Sequence, residues 1–151
     1  MSTTFVVAVD GSESGWKALD LAATLAKLWA AQLVLVHVVS FQPLSQDLEA
    51  WAEIEGLTAR TLRGQVNYRR TLGDRIIAEG EALIGKKGFD QVTARVVDGN
   101  VAGEIVKVVE DTNADMLFVG SRGLSDLKGM LLGSVSHKLT HLAPCTCIVV
   151  K

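Results

Sequence analysis

Short apolar segments alternate along this chain with longer stretches of helical periodicity, and this alternation is the strongest constraint on the fold. Four segments are nearly continuous apolar runs, which is typical of strands buried on both faces: Phe5–Val9, Gln32–Val39, Met116–Val119 and Cys147–Val150. A fifth segment, Val92–Val97, alternates apolar with polar residues, as an edge strand with one solvated face would. The sequence therefore predicts five strands.

The segments between these strands have helical spacing. From Gly15 to Ala30 the apolar positions predict one helical stripe that comprises Ala18, Leu21, Ala22, Leu25 and Leu28. Ser12 or Ser14 is placed to cap the start of that helix. Further helices are predicted from about residue 66 to Gly85, after Asn100, and from Gly133 to Leu142, whereas residues 40–65 fit a loop with a partial helix.

A strand, helix, strand order requires crossover connections, which force parallel pairing and place helices on both faces of the sheet. We therefore predict a doubly wound, five-stranded parallel α/β sandwich of strand order 3-2-1-4-5, Rossmann-like, and forming a single domain over residues 1–151. Ligands of such sheets bind beyond the carboxyl ends of the strands, where the strand order reverses. Here that crevice lies between Asp10, after the first strand, and Gly120, after the fourth.

Composition and charge argue against several classes of partner. The formal net charge is -2, and no basic run is longer than a pair, so nothing in the sequence indicates binding to nucleic acid. No apolar stretch approaches the roughly 18 residues of a membrane span. A basic head and a signal-like apolar run are missing from the start of the sequence, so we expect a cytoplasmic protein. If Cys145 and Cys147 lie on one strand, their side chains share a face but are too poorly oriented for a mutual disulfide, so no disulfide is predicted.

The loop after the fourth strand places Gly120 at a strand end, Gly123 inside the loop and Gly133 at a helix start. Glycines let backbone N–H groups approach an anion, and a helix start favours negative charge. Ser134 adds a hydroxyl donor and Arg122 a cation. This is not the P-loop pattern, and the same glycines could equally serve turn geometry and the helix start.

The spacing Gly120-x2-Gly123-x9-Gly133-Ser134 resembles the nucleotide-binding signature of the ATP-binding branch of the universal stress protein family. The resemblance extends over nearly the whole chain. It includes residues 7–14, the second strand at residues 35–39, the stretch from 114 to 123, and the closing residues 148–151.

This resemblance implies a nucleotide-dependent regulator or sensor of stress that binds ATP, with or without Mg²⁺. Hydrolysis needs a positioned water and usually a base, and the loop offers few polar side chains, so we expect hydrolysis to be slow or absent. Asp10 would bond the ribose or a phosphate-bound metal, the Val38 backbone would meet the adenine edge, and Ala8 and Val9 would line the base pocket. The phosphates would be held by the backbone and side chains of Gly120, Arg122, Gly123, Gly133, Ser134, Val135 and Ser136. The resemblance also implies a homodimer through Cys147–Val150 and a protein partner of unknown identity.

Structural explanations compete with several functional ones. Asp10 could simply cap the following turn, and His37, on an apolar strand, fits a hydrogen-bonded core histidine better than a base. His137, His141 and the two cysteines mimic a metal site, but a helix followed by a strand need not bring them together. We therefore predict no metal ligand among them.

Two other functions remain open from the sequence. One is an enzyme of related architecture that cleaves the nucleotide, for which Asp126 is the one conceivable base in the loop. Against it, the turn Asp10-Gly11-Ser12 lacks the Ser-Gly-Gly loop of ATP pyrophosphatase-type domains, and we assign no catalytic residue. The other is an interaction module without a nucleotide, which leaves the glycine pattern unexplained.

Overall fold

The computed structural model describes residues 2–40, 46–56, 68–123 and 132–151. In chain order the described elements are β1 (Thr4–Ala8), α1 (Glu13–Trp29), β2 (Gln32–Val39), α2 (Gln46–Ile54), α3 (Tyr68–Lys86), β3 (Val92–Asp98), α4 (Val101–Asp111), β4 (Met116–Gly120), α5 (Ser134–Leu142) and β5 (Thr146–Val150). All five predicted strands are present, and β2 has the predicted bounds.

The strands form one parallel sheet of order β3-β2-β1-β4-β5, which confirms the predicted topology. β1 is central: Ala8, its last residue, pairs with Val36 of β2 on one side and with Val119 of β4 on the other. β3 lies at one edge, as its alternating pattern predicts, and β5 at the other. The reversal of strand order therefore falls between β1 and β4.

Two apolar clusters cover the two faces of the sheet, and β1 contributes to both because successive side chains point to opposite faces. Phe5, Val7 and Val9 lie in the cluster formed with α1 and α3. Val6 and Ala8 lie in the cluster formed with α4 and α5. This layering is the doubly wound sandwich that the sequence predicts.

The prediction of which face of α1 is buried is partly wrong. Leu21 is 37% exposed and Leu28 is 75% exposed. The sheet is contacted instead by a set of mostly small residues, namely Gly15, Ala18, Leu19, Ala22, Ala23 and Ala26. Small side chains let the helix axis come close to the sheet, so the larger leucines move to the flank of the contact.

The region between β2 and α3 contains a helix, as predicted, at Gln46–Ile54. Trp51 of this helix packs partly buried against the α1 and α3 side of the core. Within the described ranges, no helix combines the length and the apolar composition that a membrane crossing requires. Cys145 and Cys147 are both free thiols.

Candidate functional site

The turn after β1 carries Asp10 into the crevice between β1 and β4. Its carboxylate oxygen Oδ1 accepts a hydrogen bond from the Ser12 backbone N–H at 2.9 Å. Ser12 in turn is the N-cap of α1 and accepts from the Gly15 N–H at 3.2 Å. Asp10 therefore does act as a turn residue, and the same turn fixes its carboxylate at the strand end where the sequence predicts a ribose or metal contact.

Gly120, the last residue of β4, lies directly against the first turn of α1. A Cβ atom on Gly120 would lie 2.5 Å from the Ser14 hydroxyl and 2.6 Å from the Gly15 backbone nitrogen. Real Cβ atoms do not approach other atoms so closely, so only glycine allows this contact. The sequence attributes Gly120 to phosphate access, whereas the structure shows that it makes room for α1.

Ser14 ties α1 to the residues that follow β4. Its hydroxyl donates to the Arg122 carbonyl at 2.7 Å, and the Arg122 N–H donates to the same hydroxyl oxygen at 3.4 Å. The neighbouring Ser121 donates its backbone N–H to the Val150 carbonyl at 2.7 Å. The backbone at the start of the glycine-containing loop is therefore held by α1 on one side and by β5 on the other, while the Arg122 side chain stays exposed.

The start of α5 is bonded to the same backbone. Gly133, the N-cap of α5, donates its N–H to the Ser121 carbonyl at 2.5 Å, and the buried Ser136 hydroxyl donates to that carbonyl at 2.9 Å. The predicted role of the Ser136 hydroxyl as a phosphate donor is therefore corrected, because its one proton is already engaged inside the protein. Its backbone N–H stays available at the helix start.

The first turn of α5 keeps the properties of an anion site. Among the described residues, no side chain caps this helix. The first N–H groups of a helix have no partner within it, so those of Ser134, Val135 and Ser136 point outward at the positive end of the helix dipole. Ser134 is exposed and Val135 half-buried. Residues 124–131, including Asp126, lie outside the described residues.

β2 borders the crevice on the side away from β4. Val38 is buried in β2, and the imidazole of the preceding residue, His37, bonds the Val9 carbonyl at 2.8 Å through Nδ1. Burial lowers the pKa of His37, an effect that the same bond and the nearby Asp10 and Asp74 oppose. His37 is thus a hydrogen-bonded histidine of the core, as the sequence predicts.

Most of the predicted site residues lie together at the carboxyl ends of the strands. The end of β4 is bonded to the first turn of α1 through Ser14 and to the start of α5 through Gly133 and Ser136, while Val38 lies on β2, the strand next to β1. From the sequence, Ser14 is predicted only as a possible cap of α1, and no role is predicted for Ser121. Their carbonyl and hydroxyl partners lie far along the chain, so periodicity and local motifs give no signal for them.

His137 and His141, which together with Cys145 and Cys147 resemble a metal site, both lie on α5. The rings of His137 and His141 contact each other with centroids 5.0 Å apart on the exposed surface of α5. Over the described ranges, no group of three or more His, Cys, Asp or Glu side chains could hold a metal ion.

Comparison with known proteins identifies the family. The model of the universal stress protein family matches residues 1–151. Universal stress protein YxiE of Bacillus subtilis is 32% identical over 152 residues, and the match covers 100% of both chains. Among solved structures, universal stress protein UspA from Lactobacillus plantarum has a TM-score of 0.77 at 17% identity, covering 99% of this chain and 97% of that one.

A universal stress protein solved in complex with cAMP is similar in sequence as well as in fold. It has a TM-score of 0.68 at 27% identity, and the match covers 99% of this chain and 97% of that one. The whole-length family match and the shared doubly wound sheet agree with the resemblance carried by the glycine spacing. This chain belongs to the universal stress protein family.

Proposed function

We propose that this protein binds an adenine nucleotide, with ATP as the expected ligand, in the crevice between β1 and β4. It would act in the cytoplasm as a nucleotide-dependent regulator. The observation that carries this proposal is the start of α5, which no side chain of the described residues caps and which Gly133 bonds to Ser121 at the point where the strand order reverses. Unpaired N–H groups at a helix start favour phosphate. The complex of a 27% identical family member with cAMP supports the same ligand class.

The base and the ribose would lie across β1 and β2. Ala8 and Val9 are 8% and 4% exposed at the end of β1 and would form the apolar floor for the base. The Val38 backbone would meet the adenine edge. Asp10, fixed by its bond to Ser12, would accept from a ribose hydroxyl or bind a phosphate-bound metal.

The phosphates would lie over the start of α5. The N–H groups of Ser134, Val135 and Ser136 would donate to them, together with the backbone at Gly120 and Gly123. The exposed Arg122 side chain would supply the cation, because the bonds from Ser14 hold its backbone at the edge of the crevice. A Mg²⁺ ion, if bound, would neutralise phosphate charge there.

We propose slow or absent hydrolysis, since hydrolysis needs a positioned base and a positioned water as well as a phosphate cradle. We assign the role of base to no residue. Binding would then report the nucleotide level to a protein partner. A nucleotide-cleaving enzyme is the alternative, and the two differ in product formation.

Calorimetric titration of the purified protein with ATP tests the proposal, after any bound nucleotide has been released and identified by chromatography. We expect saturable binding of one ATP per chain and little labelled ADP or AMP over hours. GTP at the same concentration is the matched control for the base. Rapid product formation would favour the enzyme, and no binding of any adenine nucleotide would contradict the proposal.

We also propose that β5 pairs with β5 of a second copy. β5 bonds β4 along one edge and is the last strand of the sheet, and its residues Cys147–Val150 are apolar and half-buried. An exposed apolar edge strand is a template for pairing. Sedimentation equilibrium is expected to give twice the chain mass of 16.1 kDa, and a mass of 16.1 kDa at micromolar concentration would contradict the pairing.

A further inference from the structure

The hydrogen-bond ladder between β1 and β2 stops one bond early at the candidate site. Val9 follows β1 and still donates its N–H to the Val36 carbonyl at 3.0 Å. In a regular parallel ladder the next bond would run from the Val38 N–H to the Val9 carbonyl. Among the backbone bonds of the described residues, that one does not occur.

The imidazole of His37 takes the place of that bond. Its Nδ1 lies 2.8 Å from the Val9 carbonyl oxygen. A carbonyl only accepts, so Nδ1 carries the proton of the ring. The fit is close, because a Cβ atom on Gly73 of α3 would lie 2.9 Å from the Cδ2 atom of His37. Glycine at that position therefore leaves room for the His37 ring against α3.

Strand geometry determines where the N–H and C=O groups of Val38 point. Val39 faces β3, since its carbonyl accepts from the Gly99 N–H at 3.1 Å. Backbone groups of successive residues point to opposite sides of a strand, so the N–H and C=O of Val38 point towards β1. Beyond Val9 the chain turns away into α1, and these two groups therefore border the crevice.

We propose that His37 is a positioning residue for base recognition: by occupying the Val9 carbonyl, it keeps the Val38 N–H available to the edge of the base, beside the Val38 C=O that the turn after Val9 leaves next to the crevice. One donor and one acceptor side by side match adenine, whose N1 accepts and whose N6 amino group donates. Guanine presents the opposite order, with O6 accepting and N1–H donating. This inference rests on the proposed nucleotide site and names the residue that makes that site selective.

Two substitutions separate positioning from packing. His37→Leu removes the donor while keeping an apolar side chain of similar size, so the ladder can extend to Val38. His37→Asn is the matched control, because its side-chain amide can still donate to the Val9 carbonyl from nearly the position of Nδ1. Both variants lose the imidazole, and only the leucine variant loses the bond.

Amide hydrogen exchange followed by NMR measures the effect on Val38 directly. In the wild type without nucleotide, the Val38 amide is expected to exchange faster than the Val36 amide, which lies inside the ladder. In His37→Leu the exchange of Val38 is expected to slow at least several-fold, while His37→Asn resembles the wild type. Equal exchange of Val36 and Val38 in the wild type would overturn the inference without the need for a variant.

The ratio of the dissociation constants for GTP and ATP measures the effect on recognition. His37→Leu is expected to bring this ratio down by about tenfold, as the loss of one or two neutral hydrogen bonds predicts, and His37→Asn to preserve it. An unchanged ratio in His37→Leu would overturn the inference. If the wild type binds no nucleotide, the proposed function fails, and the exchange measurement still decides the role of His37.

Discussion

Replacing Gly120 with alanine is expected to destabilise the fold by about 1–3 kcal/mol, as overpacking of a tight contact typically does. The added Cβ would lie 2.6 Å from the Gly15 backbone nitrogen and 2.7 Å from the Ser14 backbone carbon. Because these are backbone atoms, the whole start of α1 has to move. The same movement would pull Ser14 away from Arg122, so ATP affinity is expected to fall as well.

Gly85→Ala is the matched control for this substitution. Gly85 lies in α3 with nothing within 4 Å of the position of a Cβ atom. Alanine there is expected to stabilise the protein by about 0.5–1 kcal/mol, since glycine is a poor helix former. Urea unfolding of both variants and ATP titration give the comparison. If Gly120→Ala unfolds at the same urea concentration as Gly85→Ala, the close contact between β4 and α1 does not exist.

Replacing Arg122 with glutamate is expected to weaken ATP binding about 10- to 100-fold, because hydrogen bonds to charged groups are worth roughly 1.5–3 kcal/mol. The side chain of Arg122 is exposed, and its backbone bonds to Ser14 do not depend on it. Stability should therefore change little. Adenosine, which has no phosphate, is expected to bind the variant as it binds the wild type.

Arg75→Glu controls for the change in net charge. Arg75 is an exposed arginine on α3, so the substitution alters the total charge equally but away from the crevice. ATP and adenosine titrations of the two variants and the wild type make up the measurement. An equal loss of ATP and adenosine affinity in Arg122→Glu, or an equal loss of ATP affinity in Arg75→Glu, would show that Arg122 does not contact the phosphates.

The sheet could be predicted from the sequence because its signal is local. The run at Gln32–Val39 is bounded by helix and turn residues, and crossover handedness then restricts the strand order. The buried face of α1 could not be predicted, since periodicity does not say which of two adjacent stripes meets the sheet. The stripe of small residues faces the sheet in place of Leu21 and Leu28, because small side chains allow the helix to come closer to the sheet.

The location of the candidate site could also be predicted, because strand ends at a reversal of strand order lie together whatever their side chains are. The role of each residue within the site could not be predicted. The hydroxyl of Ser136 is used by Ser121, and the glycine at 120 is required by Ser14. The Ser14 to Arg122 bond joins residues 108 positions apart, and such pairs depend on strand register.

The most direct test of the nucleotide site is a titration of ¹⁵N-labelled protein with ATP, followed by two-dimensional amide NMR. If ATP binds in the crevice between β1 and β4, we expect the amide signals of Val38, of Gly120–Gly123 and of Ser134–Ser136 to shift together with one dissociation constant. Among the described residues, a cavity of about 340 Å³ between α1 and α3, lined by Trp16, Leu19 and Leu83 among others, is a second place where a ligand could bind. Shifts confined to amides that line this cavity, or no shifts at millimolar ATP, would contradict the proposed nucleotide site.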